Sequence, residues 1–104
     1  MNGLDHIAIQ VSDISKSVEW YKNNLKATVA YCDESWAMLE ISGIKLALTL
    51  PEQHPPHWAI KITDPTCFPN NKKIGRHRDG SQFVYIKDPD GNYIEYVYYP
   101  KETE

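Results

Sequence analysis

The chain has 104 residues, 41% of them hydrophobic and 24% charged, with a net charge of −3. This is the composition of one soluble globular domain with a modest core and no room for a second domain. The acidic balance argues against nucleic acid as a partner, and the longest apolar runs, such as IKLALTL, fall far short of the ~20 residues of a membrane span.

HIAIQVSD at residues 6–13 alternates in the manner of a strand, with His6, Ala8 and Gln10 on one face and Ile7, Ile9 and Val11 on the other. From Asp13 the period becomes helical. Asp13 can cap the helix start, and Ile14, Val18, Tyr21 and Leu25 form one apolar stripe, so a helix is expected to about Lys26, packed on the Ile7, Ile9 and Val11 face. ATVAYCDE, SWAMLEIS and GIKLALTL follow as three short strands, which makes residues 1–50 a βαβββ module. PEQHPP holds three of the seven prolines and serves as the linker. MNGLDH has neither the basic nor the apolar region of a secretory leader, so a cytoplasmic location is expected, with Cys32 and Cys67 as thiols.

HWAIKITD at residues 57–64 then repeats the opening octapeptide with four identities. The same alternation places His57, Ala59 and Lys61 opposite Trp58, Ile60 and Ile62. PTCFPNNKKIGRH has no apolar stripe for a second helix, and its basic cluster reads as a solvated loop. SQFVYIKD and NYIEYVYY read as strands joined by the DPDG turn. Gly43 and Gly91 stand 48 positions apart, against 51 for the histidines, and the three-residue deficit falls where the helix is missing. Residues 57–100 are therefore a second, truncated module. The expected fold is α+β, two βαβββ-type modules forming a cupped, barrel-like sheet within a single domain of residues 1–104.

Equivalent strands present equivalent faces, so His6 and His57 are expected to converge. Glu95 is an acid within an apolar, aromatic strand, where an unpaired carboxylate is costly and a cation would satisfy it. Two imidazoles and a carboxylate are a known ligand set for non-haem iron and for catalytic zinc. Each residue also has a structural reading: a strand histidine as a hydrogen-bonding group, and Glu95 as the partner of Lys45 or Lys61. His54 lies outside the repeat, and Ala47, at the position equivalent to Glu95, offers no fourth ligand.

LDHIAIQVSD, a helix ending in WYKNNL, and DPDGNYIE together resemble the glyoxalase/bleomycin-resistance/extradiol-dioxygenase, or vicinal oxygen chelate, superfamily. The resemblance implies one divalent ion (Fe2+, Mn2+, Zn2+ or Ni2+) chelated by adjacent oxygens of a small-molecule substrate. Its ligand positions carry over to His6, His57 and Glu95, and Ala47 departs from the four-ligand glyoxalase I pattern. GRHRDGSQFVYIKDPDG resembles the extradiol segment in which a histidine precedes a strand tyrosine, which implies catalytic roles for Tyr85 and His77. The activities implied are dioxygenase, lyase or isomerase chemistry. The alternatives are a fosfomycin-resistance-like thiol transferase and a bleomycin-resistance-type binding protein with Trp36, Trp58, Tyr93 and Tyr99 lining its cup. A homodimer with exchanged modules is compatible with all of them.

Overall fold

A computed structural model describes residues 3–70, 72–77 and 79–100. The chain divides into two compact units, His6–His57 and Trp58–Glu104, the latter including Met1–Asp5. The class is α+β, and the order of elements is that of two βαβββ-type modules, with the second module's helix reduced to one turn.

In the first unit, β1 (Leu4–Gln10) leads into α1 (Ile14–Leu25), followed by β2 (Thr28–Cys32), β3 (Trp36–Ile41) and β4 (Ile44–Thr49). The strand order is β2-β3-β4-β1, with β1 parallel to β4 and the other pairs antiparallel. Asp13 caps α1 as expected, its carboxylate accepting from the Lys16 amide at 2.9 Å, and Lys26 ends the helix in the left-handed conformation at φ 56°. Ser42 and Gly43 both have positive φ, 50° and 82°, the pair a type I′ hairpin turn requires between β3 and β4.

Ile14 and Val18 of α1 pack with Ala27, Ala37, Leu39 and Leu48, and Ile9, Val11 and Tyr21 join them. Leu39 and Leu48 are fully enclosed, which contributes roughly 1.5–3 kcal/mol each. Ile7 is partly buried and lies outside this cluster, and Leu25, the last residue of the stripe, remains 47% exposed. On the opposite face of β1, Ala8 pairs with Ala47 of β4, and both are buried. β2 is the edge strand. All five of its residues are exposed, and a bulge falls between Val29 and Tyr31.

The second unit contains β5 (His57–Ile62), a single 3-10 turn at Pro65–Cys67, β6 (Gly75–Arg76), β7 (Gln82–Lys87) and β8 (Tyr93–Tyr98), in the order β5-β8-β7-β6. The first residue of β5, His57, belongs to the first unit. Gly3, just before β1, lies along β5 by accepting from the Lys61 amide at 2.9 Å. The DPDG turn is built on Asp88, whose carboxylate accepts from the amides of Asp90 and Asn92 and from the Asn92 side chain. These bonds, Asn92's first, hold the Asp88 carboxyl below its ordinary range.

Alternation separates the faces of this sheet. Val84, Ile86, Tyr96 and Tyr98 face Ile62 and Phe68, the latter directly after the 3-10 turn, so one phenyl ring stands where a helix stood in the first module. The register Phe83↔Val97, Tyr85↔Glu95 and Lys87↔Tyr93 puts these six residues on the other face. Gly75 and Arg76, expected in a loop, pair as β6 with Phe83 and Gln82. Among the described residues no helix is long and apolar enough to cross a membrane.

Candidate metal centre

Within the first unit the two repeat histidines meet. Nε2 of His6 and Nε2 of His57 are 3.4 Å apart, with the rings edge to face. His57 is buried, and its Nδ1 lies 2.8 Å from the carbonyl oxygen of Pro55. A carbonyl only accepts, so Nδ1 carries the proton and donates it, and the Nε2 lone pair is left pointing at His6. The imidazole is thus held by a backbone oxygen in the tautomer whose Nε2 carries a lone pair.

In the second unit Glu95 is 1% exposed on β8. Its Oε2 accepts from Nε2 of His77 at 2.7 Å. His77 therefore engages the buried carboxylate, a bond the sequence alone offered instead to Lys45 or Lys61. The His77 ring stacks on Phe83 at 4.0 Å and 16°, and Phe83 in turn lies over Gly75: a β-carbon built at Gly75 would stand 2.5 Å from the ring. Tyr85 sits directly opposite Glu95 in the β7–β8 ladder and meets Phe83 and Tyr93 edge to face.

The profile of the Glyoxalase/Bleomycin resistance protein/Dioxygenase superfamily matches residues 3–63. The chain belongs to this superfamily. The metallothiol transferase FosB of Staphylococcus saprophyticus is 31% identical, over 91% of this chain and 76% of that protein. FosB of Lysinibacillus sphaericus is 26% identical, over 92% of this chain and 82% of that protein. Among solved structures, methylmalonyl-CoA epimerase from Mycobacterium tuberculosis superposes with a TM-score of 0.71 at 22% identity, covering 96% of this chain and 90% of that one. The fold is thus that of the superfamily, shared across different chemistries.

For a vicinal oxygen chelate protein the electrostatics of the second unit are informative. Burial, and then the charge of Glu95, push the Tyr85 phenol above its ordinary range. Burial, followed by the charge and hydrogen bond of Asp5 at 2.9 Å, does the same for Tyr99, over whose ring the Lys61 ammonium lies at 5.5 Å. Tyr85 is therefore a hydrogen-bond donor at neutral pH. Both phenols keep their protons in the folded state beyond the ordinary value of ~10. The stability they contribute is intact below about pH 10 and is lost as pH rises through the folded values. Absorbance titration at alkaline pH should show Tyr85→Phe and Tyr99→Phe each removing one late-ionising phenol, with ionisation of these groups accompanying loss of the fold.

The sequence assigned no role to Gly75, Phe83, Gln10 or the Pro55 carbonyl, although alternation put Gln10 on the His6 face and Phe83 on the Tyr85 face. Gly75, read as part of a solvated loop, is a lone glycine of the kind that marks a close backbone approach.

Proposed function

We propose that this chain is a metal-dependent enzyme of the metallothiol transferase kind, with His6, His57 and Glu95 as ligands of one divalent ion. The observation that carries this is the His57 ring, fixed by Pro55 so that its Nε2 lone pair meets His6 Nε2. The donor set fits a metal. Two neutral imidazoles plus one carboxylate suit Fe2+, Mn2+, Zn2+ or Ni2+. When bound, the ion supplies Lewis-acid polarisation of substrate oxygens.

The chain's own residues supply orientation and hydrogen bonds. His77 holds one Glu95 oxygen and so acts as a positioning residue, and the Tyr85 phenol can donate to a substrate oxygen. In the transfer itself the thiol sulfur bonds to an electrophilic carbon, a carbon–oxygen bond of a strained ring opens, and the thiol proton ends on the released oxygen. The FosB relatives favour this reading over dioxygenation, which draws on Tyr85 facing Glu95.

The test uses protein purified without a metal-affinity tag. Elemental analysis and calorimetry with the four ions should give one ion per chain, and the loaded protein with fosfomycin should consume a low-molecular-weight thiol from a panel. One bound ion without thiol consumption, but with oxygen uptake on a catechol panel, would replace transfer by dioxygenation. Failure to bind any of the ions would overturn the metal reading and leave a binding protein.

A further inference from the structure

The three prolines of the 51–56 linker leave it poor in backbone donors, yet the linker must hold the Pro55 carbonyl still, because that oxygen sets the His57 tautomer. Within it the Gln53 amide bonds the Leu50 carbonyl at 2.9 Å. A further hold comes from β1. The Gln10 side-chain amide donates to the carbonyl of His54 at 2.9 Å and to that of Pro51 at 3.3 Å, so one NH2 group grips the linker at two points. His54 directly precedes Pro55, and its ring meets that of His57 at 6.4 Å.

Gln10 also shares a face of β1 with His6 by strand alternation. One strand thus carries a candidate ligand and, four residues on, the group that secures the loop orienting the other. We infer that Gln10 is a positioning residue, acting through the His54 and Pro55 backbone to keep His57 in the Nδ1–H form with Nε2 available to an ion. This rests on the proposed ligand role of His57, but its first readout needs no metal.

Gln10→Glu preserves size and removes the donor, since a carboxylate facing two carbonyl oxygens cannot bond them. Nitrogen-15 NMR of the metal-free protein at about pH 8.5, above the ordinary imidazole range, reports the tautomer directly. Wild type should show His57 protonated at Nδ1 alone. Gln10→Glu should show a mixture with the Nε2–H form, and Gln10→Lys, which keeps a donor, should restore the single form. Mn2+ affinity should fall about 10-fold in Gln10→Glu, within the range for lost ligand-orienting partners, and recover in Gln10→Lys. Unchanged tautomer in Gln10→Glu, with the fold intact by circular dichroism, would overturn the role of Gln10. A changed tautomer in a protein that binds no Mn2+ would uphold it and overturn the ligand role of His57.

Discussion

Glu95→Gln should weaken metal binding by about 100-fold while leaving the protein folded. The substitution keeps the shape of a side chain that is 1% exposed and removes the only anion of the proposed donor set. Two neutral imidazoles do not offset the charge of a divalent ion, so affinity should fall by roughly 100-fold, the upper end of what a disturbed ligand set costs. Stability is expected to move little. In the metal-free protein Glu95 is bonded to His77 at 2.7 Å, and because the His77 side chain is 32% exposed, the substitution strands no charge in the interior, the event that makes breaking a buried pair costly. The amide oxygen introduced by the substitution still accepts from His77. Calorimetric titration with Mn2+, alongside urea unfolding, separates the two effects. Wild-type affinity in the variant would make Glu95 a structural acid held by His77.

Gly75→Ala should cost more stability than any conservative change on the surface, and should reach the same carboxylate from a distance. In most strands alanine gains roughly 0.5–1 kcal/mol over glycine. Here the new methyl would stand 2.5 Å from Phe83 Cζ and 2.7 Å from Cε1, an overpacking of the kind that costs about 1–3 kcal/mol. The clash should win, because the ring is stacked at 4.0 Å on His77 and cannot retreat without moving it. If the ring stays, strain remains. If it moves, the His77–Glu95 bond loosens. Urea unfolding should show a loss of about 1–2 kcal/mol, and the His77 ring resonances should shift. Gly75→Ala with wild-type stability and an unmoved His77 would show that Phe83 has room the structure does not reveal. Phe83→Leu combined with Gly75→Ala should recover part of the stability and none of the stacking.

The parts of the site legible in the sequence are those set by strand period. Alternation alone assigns His6 to the face of Ala8 and Gln10, and assigns Tyr85 with Phe83 and Lys87, because a side chain on a strand has two directions to choose from. The cost of burying a carboxylate marks Glu95 as a residue in need of a partner. The identity of that partner was illegible: His77 lies 18 positions away, in the segment before the hairpin that reads as a loop, and no local rule aims a loop side chain. The His57 tautomer was illegible for the same reason, since it hangs on where a proline-rich linker places one carbonyl. Leu25 illustrates a different limit. Helical spacing gives the direction of the stripe, but not how far the covering surface extends, and the last turn ends exposed.

The bulge in β2 matters most when many copies of the chain are close together. Thr28–Cys32 is uncharged, free of proline, exposed at every residue and placed at the rim of its sheet, so it lacks the lysines and prolines that ordinarily deter one chain from annealing to another. The irregularity between Val29 and Tyr31 is the deterrent that remains. It interrupts the row of outward amides and carbonyls and twists the rim. Shortening the strand by Ala30 would turn it into a flat, apolar template. Through this bulge the local geometry of one alanine bears on whether a concentrated solution stays clear.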